Sequence, residues 1–318
     1  MGRMQVLVCG SNYARTYLAA LAGEPRKFQL AGILARGSGR SIEVAELSGV
    51  PLYHSTSELP DHITLACAAM SSKASPVVLQ LIRRGIHVLC EHPYPSRWLK
   101  KAIELARKYS VQFHVNGHFI NLPNAQAFIR ESRQAGKHAQ PQFIEVMATE
   151  RSLYGALDIL MAAIGGRNSL RVRVLSRRRR FVLLEGTLGR IPARLTVQVS
   201  GTEGRSRLAD GSAGYLLDQR LTVAFRTGLL TMLSTAGPVL WNSMAARAQG
   251  PNSLWTMLDD QAVQTTAELR EQRIRANVEA LNSIRLVILG NGPPEFQQPQ
   301  HILRVSHAWE QIGRQLYR

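Results

Sequence analysis

Short apolar runs alternate with amphipathic stretches through the first third of the chain. Met4–Cys9 is an apolar run with β propensity, and beyond Gly10 the residues Tyr17, Leu18 and Leu21 recur at helical spacing. The alternation continues with strands predicted at Leu30–Leu34, Val50–Tyr53, Ile63–Ala69, Val88–Cys90 and Val111–Asn116. Helices are predicted between them over Ile42–Leu47, from Pro76 to the stop at Gly85, and over Trp98–Tyr109. Six strands, with four helices in the connections between them, are the pattern of an α/β, doubly wound parallel sheet. After Asn116 the texture changes. Asn121–Gly136 and Ser152–Ile164 read as helices around a strand at Phe143–Thr149. Alternating runs then follow at Leu170–Leu175, Phe181–Gly186, Ile191–Ser200 and Leu221–Phe225 without helices between them, which implies a largely antiparallel open sheet. Long helices close the chain at Gln261–Leu289 and Gln300–Leu316. Two domains are expected: residues 1–119, and an α+β domain over residues 120–318 for substrate and dimerisation, with the last helix packing back on the first domain.

The strand ends carry the candidate chemistry, because open α/β sheets bind ligands at the carboxyl ends of their strands. The first ends in Gly10-Ser11-Asn12-Tyr13-Ala14-Arg15, where a tight turn feeds a helix N-terminus suited to a pyrophosphate. Only one glycine of the usual three is present; Asn12 tolerates left-handed dihedrals and Ala14 is nearly as small. A βαβ turn without a ligand is the alternative reading of this motif taken alone. The second strand runs into Ala35-Arg36-Gly37-Ser38-Gly39-Arg40-Ser41 with no carboxylate to hold the ribose of NAD. Arg36, Gly37, Ser38, Arg40 and Ser41 suit the 2′-phosphate of NADP through charge-assisted bonds, the alternative being a solvated basic loop. The fourth strand ends at Ala69-Met70-Ser71, which completes the candidate cofactor edge. The fifth ends in Glu91-His92-Pro93, and His92 is the first candidate for proton transfer because imidazole donates and accepts near neutrality. A histidine that merely caps the strand is the alternative.

Composition narrows the partners. The chain has 39 Lys and Arg against 22 Asp and Glu, a net charge of +17, so an acidic partner is expected. No helix-turn-helix, zinc-finger or RNP-like pattern accompanies the charge, which argues against nucleic acid. The densest basic run is Arg171, Arg173 and Arg177–Arg180, on a predicted strand. Cys9, Cys67 and Cys90 lie in apolar runs rather than at metal-ligand spacing, so neither a disulfide nor a metal is expected. No apolar run is long enough for a bilayer, and no signal-peptide pattern precedes Met4, so a cytoplasmic protein is expected.

Gly85-Ile86-His87-Val88 followed by Glu91-His92-Pro93 resembles the fifth strand of the glucose-fructose oxidoreductase (Gfo/Idh/MocA) family, an N-terminal Rossmann domain joined to a C-terminal open sheet. In that family Glu-Lys-Pro is usual, and this chain has histidine in place of the lysine. With Leu34–Ser41 and Val50-Pro51-Leu52-Tyr53, the replacement resembles the thiazolinyl imine reductases of siderophore biosynthesis. The resemblance implies NADPH-dependent reduction of a thiazoline C=N to a thiazolidine, on an intermediate tethered to a carrier-protein domain of a nonribosomal peptide synthetase. It makes His92 the proton donor, with His118 as second candidate, and places Glu91 near the nicotinamide ribose. Phe119 stands where those reductases carry a tyrosine acid. Tyr154 and Asp158 lie in the segment where sugar-type relatives carry an aspartate and then a histidine; Ala162 replaces that histidine. Phe119, Tyr154 and Asp158 are therefore the substrate candidates, and a homodimer is expected. A sugar or small-carbonyl oxidoreductase and a non-catalytic NADP-binding regulator are the rival readings.

Overall fold

The computed structural model describes residues 2–11, 13–70, 75–165, 169–199, 217–244, 255–258 and 265–317. The chain divides into two compact units, Met1–His118 with Arg270–Leu303, and Phe119–Leu269 with Arg304–Arg318.

The first unit is built on six parallel strands: β1 (Met4–Cys9), β2 (Phe28–Leu34), β3 (Leu52–Tyr53), β4 (Leu65–Ala68), β5 (His87–Glu91) and β6 (Phe113–Asn116). Their order is β3-β2-β1-β4-β5-β6, so the winding reverses between β1 and β4 and opens a crevice at their carboxyl ends. Helices α1 (Ala14–Ala22), α2 (Gly39–Ser48), α3 (Ser75–Arg83) and α4 (Ser96–Lys108) make the crossovers. Strands buried on both faces need continuous apolar runs, and Val6, Leu7, Val8 and Cys9 are wholly buried, as are Leu65 to Ala68. Each buried valine or leucine side chain among them contributes about 1.5–3 kcal/mol. Cys9, Cys67 and Cys90 are free, buried thiols on β1, β4 and β5.

The predicted long helix is α7, Thr266–Ile288; its expected start at Gln261 lies outside the described residues. Although sequence position puts α7 with the second domain, most of it counts with the first unit. Ala280, Leu281 and Ile284 complete the core formed by Val6, Val8, Tyr17, Phe28, Leu65 and Leu89.

The second unit holds α5 (Pro123–His138), β7 (Phe143–Thr149), α6 (Leu153–Ile164) and seven further strands. These are β8 (Leu170–Arg178), β9 (Phe181–Leu188), β10 (Ile191–Gln198), β11 (Arg220–Phe225), β12 (Gly228–Met232), β13 (Val239–Ser243) and β14 (Trp255–Met257). The sheet order is β14-β13-β12-β11-β7-β10-β9-β8, antiparallel throughout except for the parallel pair β10 and β7. Helices α5 and α6 lie on it. Alternation sets the two faces: Leu170 and Val172 are buried while Arg171 and Arg173 face solvent. The last helix, α8 (Pro299–Leu316), counts with the first unit through Leu303 and with the second from Arg304. No helix among the described residues is long and apolar enough to cross a membrane.

Candidate active site

Four strand ends of the first unit converge on one edge. Gly10 leaves β1 with φ +96°, and its N–H donates to Leu34 O at 2.9 Å. A Cβ on Gly10 would stand 2.6 Å from Ala69 O and 3.4 Å from Met70 Cγ. Only glycine therefore lets the β1 turn lie against the β4 end, and the structure brings Gly10, Ala69 and Met70 together. Ser11 and Tyr13 follow in the same turn, and Tyr13 caps α1 without a side-chain bond to the helix. Asn12 and Ser71 lie outside the described residues, and Ala14 is the first residue of α1.

Beyond the end of β2 the loop residues Arg36 and Ser38 and the α2 residue Arg40 are exposed, and Gly37 has φ +81°. Ser38 caps α2 by accepting from Ser41 N–H. Ser41 is fully buried and its hydroxyl donates to Ser38 O at 2.7 Å. Its role is to hold the helix start, which removes it from the expected phosphate clamp. These residues fit a dinucleotide with a 2′-phosphate: a turn that excludes any side chain, an α1 cap with no side-chain partner, and guanidinium and hydroxyl donors where an NAD-selective chain has an acid.

Glu91 ends β5, and its carboxyl is held from inside the protein. It accepts from the Tyr17 hydroxyl and from Asn116 Nδ2, the latter at 2.8 Å. Asn116 also donates to Tyr17 Oη and to Asn277 Oδ1, each at 2.7 Å. Burial raises the Glu91 pKa; the neighbouring His92 and the Tyr17 and Asn116 bonds pull it partly back. The family resemblance implies a place for Glu91 near the nicotinamide ribose; in the structure its Oε1 accepts from Tyr17 and Asn116. Tyr17, Asn116 and Asn277 escaped prediction because each occupies a position where the pattern calls for an apolar residue. Their signal is a polar tip on a buried face.

The next residue, His92, turns the other way. Its Nδ1 lies 2.7 Å from Asn116 O, and because a carbonyl only accepts, Nδ1 carries the proton in that bond. The His118 ring is centred 6.0 Å from that of His92, and Tyr13 Oη lies 3.4 Å from His118 Nε2. Tyr13, His118 and His92 thus form a row along the strand ends. Burial, with the charges of His92 and Arg273, lowers the His118 pKa to about 3, so this ring is neutral at ordinary pH. Burial alone lowers His114, on β6, to about 4.

Those two shifts predict acid lability. Unfolding returns each ring to its ordinary pKa of 6.5, so below that value the unfolded chain binds more protons. Stability is therefore full above about pH 6.5 and is lost progressively toward the folded values, by about 2 kcal/mol per histidine between pH 7 and 5. Urea midpoints across that range should fall, and His114→Phe should flatten the slope; a pH-independent midpoint contradicts the assignment.

The three substrate candidates belong to the second unit. Phe119 lies against α6, where a Cβ on Gly155 would meet its ring at 2.7 Å. Tyr154 and Asp158 are buried in the same helix. The arginine run is divided. Arg171 and Arg173 project from β8 and Arg173 pairs with Glu185, whereas Arg177 binds the Leu316 and Gln315 carbonyls at the end of α8.

Residues 4–117 match the family model described as an oxidoreductase family with NAD-binding Rossmann fold, and residues 139–242 match the C-terminal domain of Irp3-like thiazolinyl imine reductases. The chain belongs to the Gfo/Idh/MocA family. It is accordingly an NAD(P)-dependent oxidoreductase with an Irp3-like second domain. Among solved structures of this fold is GnnA, a UDP-N-acetylglucosamine 3-dehydrogenase from Acidithiobacillus ferrooxidans, at 16% identity and TM-score 0.71, covering 99% of this chain and 98% of that one. The 3-ketoreductase KijD10 from Actinomadura kijaniata, solved with TDP-benzene and NADP, gives 15% identity and TM-score 0.72 over 98% and 96%. GenD2 of gentamicin A biosynthesis, in complex with NAD, gives 17% and 0.68 over 99% and 95%. Identities this low establish a shared fold and nothing of the substrate. Comparison with curated proteins gives no match.

Proposed function

We propose that this oxidoreductase uses NADPH to reduce a thiazoline C=N to a thiazolidine, on an intermediate tethered to the carrier-protein domain of a nonribosomal peptide synthetase. One observation carries the substrate class, the match of residues 139–242 to thiazolinyl imine reductases. Ala162, where sugar-type relatives have histidine, supports it. The geometry supports the reaction type.

When bound, the dinucleotide supplies a hydride to the imine carbon. The imine nitrogen must gain one proton to become the amine, and His92 delivers it. With Nδ1–H committed to Asn116 O, Nε2 holds a proton only in the imidazolium form, so the cationic ring is the donor and the neutral ring is left behind. The bond to the backbone persists in both states and keeps Nε2 aimed. His118 is neutral and buried, which leaves it to orient Tyr13 and border the site rather than to act as the acid. Arg36, Ser38 and Arg40 hold the 2′-phosphate, and the solvent-facing arginines of β8 receive the acidic carrier. A homodimer through the second sheet completes the proposal; Leu229, Leu233, Trp255 and Met257 are among its exposed apolar residues.

The test is oxidation of NADPH and of NADH with a free thiazoline, the same ring on a carrier domain, and a ketose. Turnover is expected with the thiazoline, faster from NADPH, and with lower KM when tethered. Turnover of the ketose alone would replace this reading with a sugar reductase.

A further inference from the structure

The loop after β3 brings a histidine to the end of β2. The parallel register pairs Ile33 with Leu52 and Leu34 with Tyr53. The Ala35 N–H then donates to Tyr53 O at 3.0 Å, which carries the pairing one residue past the strand. The segments beginning at Arg36 and at His54 therefore leave the sheet side by side. His54 folds back across the gap: a Cβ on Gly37 would stand 3.0 Å from His54 Cε1 and 3.3 Å from Nδ1. The imidazole thus lies on the Gly37 backbone, in the space that a side chain at this φ +81° residue would take.

The backbone under His54 is fixed. Its N–H donates to Glu58 Oε2 at 2.9 Å, and Ser55 caps the turn Thr56–Glu58 by accepting from Ser57 N–H. His54 itself is exposed, as are Arg36, Ser38 and Arg40. An exposed aromatic cation precursor packed on a glycine between two arginines gains nothing from burial. It is placed where it can donate to an anion.

We propose that His54 is a specificity-determining contact to the adenosine 2′-phosphate, acting with Arg36 and Arg40. It takes the place in the clamp that Ser41, buried under Ser38, does not fill. A phosphate monoester offers three acceptor oxygens, so two guanidinium groups and one imidazole N–H are a matched set. Adenosine lacking the 2′-phosphate presents only a ribose hydroxyl there and gains nothing specific from His54. The inference rests on the NADPH preference proposed above.

Calorimetric titration with adenosine 2′,5′-bisphosphate and with adenosine 5′-monophosphate separates the two. The native chain should bind the bisphosphate more tightly. His54→Ala should weaken the bisphosphate by about 10-fold or more, the worth of one charge-assisted bond, and leave the monophosphate within about twofold. Thermal midpoints should be unchanged, since the side chain is exposed. Equal weakening of both ligands, or no change in either, overturns the role of His54 while a native preference for the bisphosphate leaves the NADPH reading standing. Equal affinity of the native chain for the two ligands overturns both.

Discussion

His92→Ala is expected to lower thiazoline turnover by about 10²- to 10⁴-fold, the usual worth of a positioned acid, with NADPH affinity held within about twofold. The substitution removes the one ring whose Nδ1 is anchored to Asn116 O. His118, the neighbouring imidazole, cannot substitute, because its pKa of about 3 leaves it without a cationic form to donate from. His92→Asn separates orientation from acidity: its amide can still donate to the carbonyl, yet it has no proton to give, so it should be as slow as the alanine variant. Stopped-flow NADPH oxidation by the native enzyme and both variants reads these effects. Retention of more than a tenth of native turnover by His92→Ala would falsify the assignment.

Asn116→Leu should cost about 3–5 kcal/mol of stability, since it strips partners from a buried carboxyl rather than removing an isolated bond. Asn116 is wholly buried and donates to Glu91, Tyr17 and Asn277. Leucine fills the same space but leaves Glu91 with the Tyr17 hydroxyl alone and Asn277 Oδ1 without this donor. The sign of the pH dependence follows from Glu91, whose pKa burial already raises above 4.5. A carboxyl with a raised folded pKa favours the folded state below its unfolded value and loses that contribution as pH rises. Removing Asn116 raises it further, so the deficit should grow as pH rises through the native protein's already raised Glu91 pKa. Urea unfolding of both proteins at pH 5 and pH 8 measures it; a loss under about 1 kcal/mol at pH 8 shows that the network carries no such weight.

The parallel sheet was legible because β1, β4 and β5 are apolar on both faces, and period alone marks them. Gly10 and the acid-free end of β2 were legible for a similar reason: each is a local departure from a known turn chemistry. What escaped was whatever depends on partners far along the chain. Nothing local in Asn277 announces a bond to Asn116, and Ser41 beside Arg40 looks like another phosphate donor until helix geometry turns it inward. The strands β12, β13 and β14 went unpredicted because each is only three to five residues long, too short for alternation to show. The parallel pairing of β10 with β7 was equally hidden, since it joins strands with two others between them in sequence.

The first unit is sewn from both ends of the polypeptide. Ala280, Leu281 and Ile284 fill its interior, and Asn277 joins its polar hub. A ribosome therefore finishes the entire open sheet of the other unit before the nucleotide-binding half has its missing wall. Until then the nascent parallel sheet must wait with an apolar flank uncovered, although it is the part made first.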